Sequence, residues 1–97
     1  MSTALNSEAI QTALQSLPGW SYEEQALVKE FKFSNFREAI SFIMRMSFYA
    51  EELNHHPELF NVYNTVQIKL TTHDAGNQVT QKDLDLAAAI EGFNWRK

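Results

Sequence analysis

The stretch Val62-Tyr63-Asn64-Thr65-Val66-Gln67-Ile68-Lys69-Leu70-Thr71-Thr72-His73 decides the fold class. Val62, Val66, Ile68 and Leu70 fall on even positions, while Thr65, Gln67, Lys69, Thr71 and His73 alternate with them. Successive side chains of a strand point to opposite faces, so the alternation predicts an apolar face against a core and a polar face outward. Asn64 interrupts the apolar set and predicts a tight turn that splits the stretch into two strands. A sheet with one buried face needs a covering layer. The flanking sequence supplies it as helices.

Upstream, Asn35 with Glu38 three residues on fits an N-cap and its partner. Ile43, Met46, Ala50 and Leu53 then recur on one side of a long helix that ends near Asn54, before Pro57. Farther back, Trp20 to Phe33 carries two aromatic-rich runs around Glu23-Glu24-Gln25, which predicts a hairpin. Ile10, Ala13, Leu14 and Leu17 predict a short helix over residues 7–17, ended by Pro18-Gly19. Downstream, Asp74-Ala75-Gly76-Asn77 reads as a loop. Thr80-x-x-Asp83 opens a last helix with Leu86, Ile90 and Phe93 along one side.

The order is α-β-β-α-β-β-α, without repeats or linkers. The economical fold is α+β, an antiparallel four-stranded sheet with three helices packed on one face. The sheet's other face and its edges stay open, which favours homo-oligomerisation through strands.

Ninety-seven residues make a single domain, residues 1–97, with one core. The net charge of -4 argues against a nucleic-acid or anionic-membrane surface. There are no cysteines, which removes disulfides, cysteine-zinc sites and thiol nucleophiles. Met1-Ser2-Thr3-Ala4-Leu5 lacks a basic and an apolar signal region, and no apolar run has transmembrane length. A cytoplasmic setting is expected.

Glu51-Glu52-Leu53-Asn54-His55-His56-Pro57 holds two of the three histidines at a helix end, and His73 closes the alternating stretch. Histidine exchanges protons near neutral pH, so these positions predict acid–base chemistry. Glu51 and His55 are four apart and share a face if the helix runs through both. For His55 alone, a helix-capping role with a surface ion pair is explanation enough. His73 is equally well a solvent-facing residue, and Asp83 a capping-box acid. Trp20 and Tyr63 are by default core or rim aromatics. A metal site ranks lower: no His-x-x-x-His pair exists, and adjacent helical residues diverge by about 100°.

Glu51-x-x-x-His55-His56-Pro57, followed by Tyr63, His73 and Asp83, together with Pro18-Gly19-Trp20 and Pro57-Glu58-Leu59-Phe60-Asn61-Val62-Tyr63-Asn64, resembles the pterin-4a-carbinolamine dehydratase family. That family is also known as the dimerisation cofactor of a homeodomain transcription factor. The resemblance spans the chain from its first helix to its last. It implies a hydro-lyase that dehydrates 4a-hydroxytetrahydropterin to quinonoid dihydropterin in tetrahydrobiopterin recycling, with no metal or other cofactor. It implies His55 and His73 as acid–base catalysts serving the two faces of the pterin, and His56 as an orienting group with a share in proton transfer. Glu51 would hold the His55 tautomer or bind the pterin. Asp83 would support His73 or the ring, Trp20 would wall the pocket, and Lys82, standing where some relatives carry arginine, would lie beside Asp83 at the substrate. The implied partners are a second copy, as homodimer or homotetramer, and an aromatic amino-acid hydroxylase pathway or a transcription factor. The alternative is a non-catalytic protein-binding module.

Overall fold

The computed structural model describes residues 3–93. In chain order these form α1 (Ser7–Leu14), β1 (Ser21–Glu23), β2 (Ala26–Lys32), α2 (Phe36–Leu53), β3 (Glu58–Val62), β4 (Thr65–Leu70) and α3 (Gln81–Phe93), with a 3-10 turn at His73–Ala75 before α3. The α-β-β-α-β-β-α order is the one expected. The strands make one antiparallel sheet in the order β1-β2-β4-β3, two hairpins joined through their inner strands.

Register explains the core. Leu27 pairs with Leu70, Lys29 with Ile68 and Phe31 with Val66, so one face of the inner pair is almost wholly apolar. Phe42 and Met46 of α2, Ile10 of α1, and Leu86, Ala87 and Ile90 of α3 cover that face. Phe42 sits at the centre, its ring 4.7 Å from Phe31, 5.0 Å from Phe33 and 5.5 Å from Phe93. Aromatic pairs at these separations add to simple area burial. Side-chain caps begin the first two helices: Asn6 accepts from the Ala9 N–H at 2.8 Å, and Asn35 from the Glu38 N–H at 2.9 Å. Glu38 reaches back to the Ser34 N–H at 2.8 Å.

Four details depart from the sequence reading. Val66, Ile68 and Leu70 are buried, but Val62 is 58% exposed. The two-residue turn at Tyr63-Asn64 pairs Val62 with Thr65, on the face away from the helices. The first helix stops at Leu14 and not Leu17, with Gln15 to Gly19 in turns. Pro18 disfavours a helical conformation in the residue before it. On α2 the buried set is Ala39, Phe42, Met46 and Ala50, and Leu53 at its last position is 39% exposed. Finally, β4 ends at Leu70, so His73 begins a 3-10 turn and not a strand terminus.

Candidate active site

The end of α2 aims the first two histidines. Asn54 takes the left-handed conformation (φ 52°, ψ 44°), and its N–H donates to the Glu51 carbonyl at 3.1 Å. The His55 N–H donates to the Ala50 carbonyl at 2.9 Å. These two bonds make a Schellman closure, which satisfies two of the last four helical carbonyls and reverses the chain. Asparagine is the non-glycine residue best suited to that backbone.

The reversal overturns the expected Glu51–His55 pair. Residues four apart share a face only while the helix continues, and here it stops between them. His56 takes the place beside Glu51, its Nε2 2.5 Å from Oε2. Both side chains are largely solvent-exposed, at 60% and 74%. His55 turns inward instead and is only 7% exposed.

His55 Nε2 lies 2.6 Å from Oδ1 of Asp83, which has no solvent exposure. The other carboxylate oxygen, Oδ2, accepts from the Thr72 hydroxyl at 2.8 Å and the Thr80 N–H at 2.9 Å. The two threonine hydroxyls are 2.7 Å apart, and the Thr80 oxygen accepts from the Lys82 N–H at 3.2 Å. His55, Thr72, Thr80 and Asp83 are the buried polar residues among those described. Burying a carboxylate is costly unless it is paired and fully hydrogen-bonded. Here it is both.

The capping box is therefore half of what Asp83 does. It reaches back to Thr80 as the sequence pattern predicts, and its second oxygen holds His55. Its expected service to His73 is not seen. His73 is exposed, with Nδ1 3.3 Å from Asn77 Oδ1. His73 nevertheless directly follows Thr72, which bonds the same carboxylate as His55. One buried acid thus ties the end of α2 to the turn that carries His73.

Trp20 and Lys82 stand differently. Lys82 is exposed on the first turn of α3, next to Asp83. Trp20 is 6% exposed, and its indole N–H donates to Glu91 at 3.0 Å, which also pairs with Lys29 at 2.6 Å. Glu91 is eight positions beyond Asp83, about 12 Å along the axis of α3. This chain therefore holds Trp20 at the far end of that helix from His55. Thr72 and Thr80 were missed as site residues by the sequence reading. The signal available was the Thr-His pair at 72–73 followed by Thr80-x-x-Asp83.

Among the described residues, no three His, Asp or Glu side chains cluster in a way that could hold a metal ion. Asp83 already has three protein partners, and His56 faces a different carboxylate. The arrangement suits proton transfer by imidazoles, one buried on a carboxylate and two at the surface.

Comparison with known proteins gives the same direction. The family model described as pterin 4 alpha carbinolamine dehydratase matches residues 3–93. A protein of Opitutus terrae carrying the provisional name pterin-4-alpha-carbinolamine dehydratase is 50% identical over 95 residues, covering 98% of each chain. One of Prochlorococcus marinus MIT 9313, under the same provisional name, is 47% identical over 88 residues, covering 91% of each. The crystal structure of a transcriptional coactivator/pterin dehydratase from Brucella melitensis superposes with a TM-score of 0.88 at 37% identity, covering 93% of this chain and 97% of that one.

Proposed function

The chain belongs to the pterin-4-alpha-carbinolamine dehydratase family, and from that premise we propose that it dehydrates 4a-hydroxytetrahydropterin to quinonoid dihydropterin and water by histidine acid–base catalysis, in tetrahydrobiopterin recycling. A base takes the proton from N5, the N5–C4a double bond forms, and the C4a–O bond breaks as an acid protonates the departing hydroxyl. The protons balance, so no redox partner or covalent intermediate is needed. Acid–base groups with pKa values near the working pH suit both halves, each contributing typically ~10²–10⁴-fold.

The observation that carries this reading is the shared carboxylate. Asp83 bonds His55 directly and Thr72 next to His73, which ties His55 and the turn that carries His73 to one carboxylate. His55 and His73 are the proposed acid–base pair. His56, held by Glu51, is proposed to orient the pterin with a share in proton transfer. A cytoplasmic setting and catalysis without metal belong to the same proposal. Among the described residues, no helix is long and apolar enough to cross a membrane.

A second reading, a protein-binding role, is favoured by a different surface. Phe36, Ile40, Met44 and Phe48 recur every fourth residue along α2 and are 51%, 39%, 58% and 69% exposed. Such a stripe is suited to burial against another chain, a second copy in the first instance. Alanine at His55 and at His73 separates the two readings. An enzyme loses dehydration with either change, whereas a binding module retains both its partner and its slow background rate.

A further inference from the structure

We propose that Thr72 and Thr80 are positioning residues that fix the proton of His55 on Nε2, leaving Nδ1 as the atom that exchanges protons with substrate. Only the rate measurement below rests on the dehydratase reading. The placement of the proton stands or falls independently.

The directions of the hydrogen bonds follow from what each group can do. The Thr80 N–H is a backbone donor to Asp83 Oδ2 and cannot be reversed. The Thr72 hydroxyl donates to the same oxygen. Having spent its one proton there, Thr72 must accept from the Thr80 hydroxyl, and the Thr80 oxygen is free to accept the Lys82 N–H. The chain therefore runs one way, from Lys82 through Thr80 and Thr72 to Asp83. Both fixed donors crowd Oδ2, so Oδ1 is the oxygen presented to His55. An ionised carboxylate only accepts, hence Nε2 of His55 carries a proton.

The other ring nitrogen is then the reactive one. Among the described residues, Nδ1 of His55 has no hydrogen-bond partner, and no buried side-chain nitrogen or oxygen lacks one. Nδ1 therefore reaches solvent although the ring as a whole is almost buried. A base with one nitrogen held by a buried acid and the other exposed accepts a proton at the exposed atom. The threonines touch neither substrate nor the reacting nitrogen and act through Asp83.

Asp83→Asn gives the sharpest test because the threonine side dictates how the amide must sit. The Thr80 N–H and Thr72 hydroxyl require the amide oxygen on their side, which turns the amide NH₂ toward His55 Nε2. That nitrogen must then accept, and the ring proton moves to Nδ1. Nitrogen–proton correlation spectra of protein labelled with ¹⁵N-histidine read this directly, at about pH 8.5 where an ordinary imidazole is neutral. His55 is assigned by its loss in His55→Gln. The expected result is a proton on Nε2 alone in the wild type and on Nδ1 in Asp83→Asn, with kcat for carbinolamine dehydration lower by about 10²-fold or more in the latter. Thr72→Val is expected to lower kcat about tenfold with KM little changed, and Thr72→Ser to restore it.

Unchanged kcat in folded Thr72→Val overturns the positioning role. A wild-type His55 protonated on Nδ1, or on both nitrogens, overturns the proposal without any variant having to fold. The predicted proton positions in a protein without dehydratase activity would support the hydrogen-bond inference while removing the function proposed above.

Discussion

Replacing His55 separates its structural duty from its chemistry. In His55→Ala, Asp83 keeps the Thr72 and Thr80 donors but loses the partner on Oδ1, at a position with no solvent exposure. A hydrogen bond to a charged group is worth about 1.5–3 kcal/mol, and breaking one side of a buried pair costs about 3–5 kcal/mol. Because two donors remain, the lower end applies, about 3 kcal/mol. Against a total near 5–15 kcal/mol for a domain of this size, the variant still folds but with a thin margin. At roughly 4–8 °C per kcal/mol, Tm falls by about 12–24 °C. His55→Gln should behave differently, since its amide nitrogen can reach Oδ1 as a donor but cannot take up a proton near neutral pH. We expect a loss under about 1 kcal/mol together with loss of acid–base chemistry. Urea unfolding followed by far-UV circular dichroism measures the stability loss of both variants. A loss below about 0.5 kcal/mol in His55→Ala would refute the buried pair.

Three further outcomes follow from the same geometry. His56→Ala should leave the unfolding midpoint unchanged, because its pair with Glu51 is exposed, while dehydratase activity falls; a clear loss of stability would show His56 to be packed. Asn54→Ala should cost about 1–2 kcal/mol through its left-handed backbone and disturb the aim of His55, whereas Asn54→Gly should be tolerated, as thermal melts of the pair would show. Phe48→Glu on the exposed face of α2 should weaken self-association without lowering the melting temperature of the isolated protomer; identical sedimentation of wild type and variant across concentration would remove that face as a contact between copies.

Much of the fold was legible because period and pairing agreed. The alternation from Val66 to Leu70 became the inner strand, where Val66 and Leu70 meet Phe31 and Leu27 of β2 in register. Asn35 with Glu38 formed the cap that its spacing predicts. Both hairpin turns fall where the polar interruptions at Glu23-Glu24-Gln25 and Asn64 predict them, but their conformation was not legible, because Glu24 and Gln25 adopt positive φ values of 50° and 68° without the Asn-Gly signal usual for such turns. Strand pairing imposed those conformations from outside. Phe42 was hidden for another reason. Its role depends on rings from β2 and α3, which helical spacing alone does not reveal.

The site was legible by residue type but not by partner. His55, His56, His73, Glu51 and Asp83 were all singled out from the chain. The pairing of His55 with Asp83 and of His56 with Glu51 depended on one left-handed residue, Asn54, which moved each histidine off the helical face. Asparagine next to a histidine pair and a proline hints at such a stop, but the direction of the following chain is set by tertiary packing. Thr72 and Thr80 likewise gained their role from a carboxylate brought to them by folding.

The most direct measurement is stopped-flow decay of freshly generated 4a-hydroxytetrahydropterin with increasing amounts of the wild-type protein. The rate should rise in proportion to protein above the spontaneous loss of water and return to the spontaneous rate with His55→Gln at equal concentration. Decay at the spontaneous rate with stoichiometric, folded wild-type protein would contradict the proposed activity.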